Sequence, residues 1–135
     1  MTTYKLSSQF KSTLEEVDLQ VSALLNALDE KQISYDRFSL DLILREALNN
    51  AVIHGNQNDP ELMIYFSIML IGNWFHVRIE DQGDGFDYAS KMGTVPNSDS
   101  ERGRGFPIIR HYGEEVMLNA KGNKISFKIA QNDKN

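Results

Sequence analysis

Cysteine is absent from the 135 residues. Disulfides and thiolate metal sites are therefore excluded, and a reducing compartment is permitted. Long apolar runs are missing as well. The most apolar stretch, Leu62 to Ile71, is interrupted by Ser67 and is too short to span a bilayer, so no membrane partner is expected. Met1-Thr2-Thr3-Tyr4-Lys5 lacks the apolar core of a signal peptide, and a cytoplasmic protein is the default expectation. An excess of positive charge is also lacking. The formal net charge of −5 argues against a broad nucleic-acid-binding surface. No Gly-x-x-x-x-Gly-Lys-Ser/Thr loop and no Gly-x-Ser-x-Gly elbow occurs, which removes a P-loop and leaves a covalent hydrolase without support. His54, His76 and His111 are scattered, with no metal-ligand spacing.

What is present fits one globular domain spanning residues 1–135. Apolar residues make up 41% and charged residues 24%, enough to build a core and too apolar for a disordered chain. Tyr4 to Phe10 shows the partial alternation of an edge strand. Ser12-Thr13-Leu14-Glu15 offers a capping box for a helix ending near Lys31, with Leu14, Val17, Val21, Leu24, Leu25 and Leu28 at helical spacing. A second helix is expected from Asp36 to His54, stopped by Gly55, with Phe38, Leu42, Ala47, Leu48, Ala51 and Val52 facing a sheet. A hairpin should follow, Leu62–Leu70 and Trp74–Glu80, turning through Gly72-Asn73. Residues 86–102 read as a long loop, Phe106–Tyr112 as a short helix, and Glu115–Asn119 with Lys124–Ala130 as two last strands. Helices grouped against one face of a largely antiparallel, mixed sheet make an α+β two-layer sandwich.

Three stretches carry possible chemistry. Glu46, Asn50 and His54 follow at four-residue steps along one side of the second helix. A carboxylate there suits proton abstraction, and a carboxamide oxygen suits a magnesium ion shared with phosphates. A solvated face or helix cap explains the same residues equally well. In Asp81-Gln82-Gly83-Asp84-Gly85, the glycines leave room for a flat ligand, and Asp81 is an acceptor for an exocyclic amine. An ordinary Asp-Gly turn is the rival explanation. Arg102-Gly103-Arg104-Gly105 precedes a short helix and offers backbone N–H groups and guanidinium to an anion, or is simply a basic loop tip. Taken in order, the three suggest an ATP site.

In that order they also carry a family resemblance. Arg45-Glu46-Ala47-Leu48-Asn49-Asn50-Ala51-Val52-Ile53-His54-Gly55 resembles the N box of the GHKL ATPases. Asp81-Gln82-Gly83-Asp84-Gly85-Phe86 resembles the G1 box, and Arg102-Gly103-Arg104-Gly105-Phe106 the G2 box. The pattern is most similar to anti-sigma-factor serine kinases of the SpoIIAB and RsbW type, with Ile53 where histidine kinases often have lysine. The resemblance implies the Bergerat fold of histidine-kinase-like ATPase domains, ATP and Mg2+ as ligands, Glu46 as catalytic base and Asn50 as magnesium ligand. It further implies that Asp81 meets the adenine amine, that Gly83 and Gly85 line the base pocket, and that Gly103, Arg104 and Gly105 lie by the phosphates. Residues 87–102 would be the ATP lid. The implied partners are a sigma factor and a phosphorylated STAS-domain antagonist, with a homodimer expected. A non-catalytic ATP-binding interaction module, and a detached ATP-binding domain of a histidine kinase, are the alternatives. Two departures from the family pattern stand out: Gly122-Asn123 replaces the usual Gly-Thr, and Phe106-Pro107 follows the G2 glycines.

Overall fold

The computed structural model describes residues 2–83 and 105–132. Gly85, Gly103, Arg104 and the proposed lid lie outside the described residues. The elements run β1 (Thr2–Lys11), α1 (Leu14–Glu30), α2 (Arg37–Asn50), a π-helical turn (Ala51–Gly55), β2 (Met63–Ile71) and β3 (Trp74–Asp81). After the undescribed segment come α3 (Gly105–Tyr112), β4 (Glu114–Leu118) and β5 (Lys124–Ala130).

The five strands form one sheet in the order β1-β2-β3-β5-β4. Every pairing among the described residues is antiparallel, so the mixed component anticipated from sequence is not found there. β3 sits at the centre, with Ile64 opposite Asp81 on one side and Ile79 opposite Ile125 on the other. Alternate residues point to opposite faces of a strand, and the burial follows that period. Ile64, Phe66, Ile68 and Leu70 of β2, Phe75, Val77 and Ile79 of β3, and Ile125, Phe127 and Ile129 of β5 are all buried. Their neighbours Ser67, His76, Arg78, Ser126 and Lys128 lie on the open face, half-buried or exposed.

The helices supply the second layer. Val17, Val21, Leu24, Leu25 and Leu28 recur along the buried stripe of α1, and Leu40, Ile43, Leu44, Ala47 and Leu48 along that of α2. Burying one such large side chain contributes about 1.5–3 kcal/mol, and truncating Leu44 to alanine should cost about 2–5 kcal/mol. Phe38 falls off this stripe. It is 68% exposed, contrary to the sequence expectation, because the 40-43-44-47-48 phase turns position 38 toward solvent. Arg45 fastens α2 to α1 through Asp18 at 2.7 Å and is itself held by Asp41, one turn earlier on α2, at 2.7 Å.

The helix starts have clear causes. Thr13, not Ser12, is the N-cap of α1, its hydroxyl accepting from the Glu16 N–H at 3.1 Å. Ser12 is instead drawn into the sheet, its N–H donating to the Leu62 carbonyl at 2.9 Å. Asp36 caps α2 by accepting from the Ser39 N–H. At Gly72-Asn73 the chain reverses between β2 and β3, with Gly72 at a φ of 62° that costs glycine little. Among the described residues, no helix is long and apolar enough to cross a membrane.

Candidate functional site

The site is built where the end of α2 meets the end of β3. Helix α2 ends at Asn50 and runs on into the π-helical turn through Gly55. Its last turn widens, and the Asn56 N–H donates to the Ala51 carbonyl at 2.8 Å, a five-residue step. Such single π turns are uncommon and often occur at functional sites. Here the widening carries Gly55 against the Asp81 side chain. A Cβ on Gly55 would overlap Asp81 Oδ2 and lie 2.5 Å from its Cγ. A Cβ on Gly83 would overlap the Gly55 carbonyl oxygen and lie 2.8 Å from its carbon. The two glycines thus allow backbone and carboxylate to interlock, where the sequence suggested a helix stop at one and ligand room at the other.

Asn56 clamps this junction and was not singled out by sequence. It is 2% exposed, donates from Nδ2 to the Met63 carbonyl at 3.1 Å, and accepts from the Gln82 N–H at 2.9 Å. Gln82 closes the loop, its Oε1 accepting from the Met63 N–H at 2.7 Å. The end of α2, the start of β2 and the turn after β3 are therefore tied together by side-chain hydrogen bonds.

Asp81 ends the central strand and is 2% exposed. Burial pushes its carboxyl up to about 6. The Gly83 N–H, donating to Oδ1 at 2.9 Å, and the charge of Lys121 oppose that rise, while nearby Glu80 adds to it. A buried carboxylate held by one backbone donor still has acceptor capacity to offer a ligand.

Asn50 lies on the neighbouring helix, 8% exposed, and its Nδ2 has no hydrogen-bond partner among the described residues. A buried amide without a partner is costly, which favours a polar occupant of the adjoining space. Asn50 and Asp81 line one small cavity. Its walls are Ala47 and Ala51 from the α2 segment, Ile79 from β3, Ile109 from α3, and Asn123 and Ile125 from the last hairpin. The free space is about 10 Å³, room for one water. Asn50, Asp81 and Asn123 are the polar groups in this otherwise apolar lining.

Glu46 sits one turn before Asn50 on α2 and is half-buried. Gly105 opens α3. The structure thus brings Asn50, Asp81 and Gly83 together at one junction, with Glu46 on the same helix. Asn123 stands where the usual threonine was missing. It is buried, and its side chain donates to the Asp81 carbonyl at 3.0 Å.

Residues 10–129 match the histidine kinase-like ATPase domain family. Over 86 residues the chain is 31% identical to a protein named anti-sigma F factor from Anoxybacillus flavithermus, covering 61% of this chain and 59% of that protein. It thus spans less than two thirds of that relative's length. A protein of the same name from Bacillus cytotoxicus is 29% identical over 119 residues, 76% of this chain and 82% of that one. Another from Shouchella clausii is 31% identical over 102 residues, 73% of this chain and 68% of that one.

Proposed function

The chain belongs to the histidine kinase-like ATPase domain family, and from that premise we propose that it is an ATP-dependent protein-serine/threonine kinase that also acts as an anti-sigma-type binding switch. The observation that carries this reading is the shared cavity of Asn50 and Asp81. A carboxylate with acceptor capacity and a carboxamide without a partner face one apolar slot. The Asp81 carboxylate suits the amine of an adenine ring, the unpartnered Asn50 Nδ2 suits a phosphate oxygen, and magnesium would be held by Asn50 Oδ1. In this reading Asp81 accepts from the exocyclic amine, Gly83 and Gly85 flank the base, and Gly103, Arg104 and Gly105 meet the phosphates.

Glu46 takes the proton from a serine or threonine hydroxyl of a protein partner as its oxygen attacks the γ-phosphorus. The bond to the bridging oxygen breaks, and ADP leaves. Asn50 would hold magnesium through Oδ1, and the ion would offset phosphate charge. The protein's own contribution is positioning, since the π turn, Asn56 and Gln82 fix Asp81 relative to α2. Relatives named anti-sigma F factor support a sigma factor as the sequestered partner. A STAS-domain protein as phosphoacceptor, residues 87–102 as the lid and a homodimer complete the proposal.

Incubation with γ-labelled ATP and a STAS protein encoded nearby tests transfer. Acid-stable label on the partner, lost with Glu46→Ala, is expected. Nucleotide binding without transfer to any partner would instead identify an interaction module, and acid-labile label a detached histidine kinase domain. Magnesium-dependent ATP affinity should fall with Asn50→Ala, and adenine recognition with Asp81→Asn. If neither substitution alters affinity, these roles are wrong.

A further inference from the structure

Pairing between β3 and β5 ends at Glu80 and Lys124, one residue short of Asp81. The ladder does not simply stop there. The Asp81 N–H donates to the Asn123 carbonyl at 2.9 Å, and the Asp81 carbonyl accepts from the Asn123 side-chain Nδ2 at 3.0 Å. Asn123 thus replaces the missing strand partner, using its backbone for one bond and its carboxamide for the other.

A carboxamide can serve that carbonyl only if its nitrogen points the right way. Asn119 sets the direction. Its Nδ2 donates to Asn123 Oδ1 at 2.7 Å, which commits that oxygen and leaves Asn123 Nδ2 for Asp81. Asn119 is itself held, because its Oδ1 accepts from the N–H groups of Gly122, Asn123 and Lys124 at 2.9, 3.0 and 3.1 Å. Gly122, at a φ of 82°, lets the turn fold back far enough for all three.

We propose that Asn119 and Asn123 are positioning residues for nucleotide selectivity, a two-carboxamide relay that holds Asp81 at the depth where its carboxyl can read a purine amine. Neither residue touches the base in this role, and the inference rests on the ATP-site reading above. The relay has a polarity: nitrogen to oxygen from Asn119 to Asn123, then nitrogen to oxygen from Asn123 to Asp81. Reversing one carboxamide would set two oxygens against each other at Asp81.

Asn119→Asp tests that polarity. An aspartate keeps the three turn bonds through one carboxylate oxygen, but its second oxygen cannot donate. Asn123 must then turn its Nδ2 toward residue 119 and present Oδ1 to the Asp81 carbonyl. Asn123→Asp breaks the second link alone and serves if the first variant folds poorly. The measurement is the affinity ratio for ATP over inosine triphosphate, which carries an oxygen in place of the amine, with the melting temperature of each protein. The wild type should prefer ATP. Either variant should lower the ratio about tenfold, the worth of one net hydrogen bond, while still melting cooperatively. A merely structural role would lower the melting temperature and leave the ratio alone. An unchanged ratio in a folded variant overturns the relay and leaves the ATP site standing. No ATP preference in the wild type overturns the role of Asp81, and the relay with it.

Discussion

Replacing Asp81 by asparagine should make the ligand-free protein more stable, and only above a definite pH. Burial raises the Asp81 carboxyl from 3.8 to about 6. The folded state therefore binds this proton more tightly than the unfolded chain does. The stability it contributes is present below about 4 and is lost as the pH climbs through 6. The full displacement corresponds to about 3 kcal/mol, and about half of that remains if water reaching the carboxyl through the cavity screens it. Asparagine keeps the shape and can still accept from the Gly83 N–H, but never ionises. Thermal unfolding at pH 7.5 should show Asp81→Asn melting roughly 5–10 °C above wild type. At pH 4 the two should nearly coincide. The same substitution should weaken adenine recognition, so stability and binding move in opposite directions. A gain of equal size at both pH values, or a loss at pH 7.5, would refute the account of Asp81 as a carboxylate held buried at a cost.

Three further outcomes can be checked on the same footing. Gly83→Ala should destabilise more than Gly55→Ala in urea titrations, because the new Cβ meets backbone in the first case and a side chain able to rotate in the second; about 1–3 kcal/mol separates either from wild type. Asn50→Ala should leave the apo protein within about 0.5 kcal/mol of wild type or above it, since it removes an unpartnered amide, while magnesium-dependent ATP affinity drops. Phe38→Ser should change the unfolding free energy, read from urea titration, by no more than about 0.5 kcal/mol, given its exposure.

Much of the fold is written in local pattern. The strand boundaries at Lys124–Ala130, the Gly72-Asn73 reversal and the apolar stripe of α1 follow from period and turn chemistry. Contacts made at a distance are less visible. A π turn differs from an α turn by one hydrogen-bond step, and what selects it here is the docking of Gly55 on Asp81, which periodicity cannot register. Asn56 reads as one more polar loop residue because its partners, Met63 and Gln82, lie on other elements. Asn119 offered a signal that could have been used: an asparagine three residues before a glycine suits a side-chain-capped turn. Ser12 and Thr13 both fit a cap, and only the pull of Leu62 on Ser12 decides between them. Asn50 and Asp81 line one cavity because each sits at an element end, of α2 and of β3, that the fold brings to one place.

The central strand takes its second neighbour from β5, the last strand among the described residues. During synthesis on a ribosome, β3 must wait with one edge bare until β5 emerges, and Asp81 waits with it. In the proposed reading, competence for nucleotide therefore waits until the β4–β5 hairpin closes, rather than growing with the length of chain made. A growing polypeptide that had released everything through Tyr112 would hold both the helix and the carboxylate, yet lack the hairpin that holds that carboxylate in place.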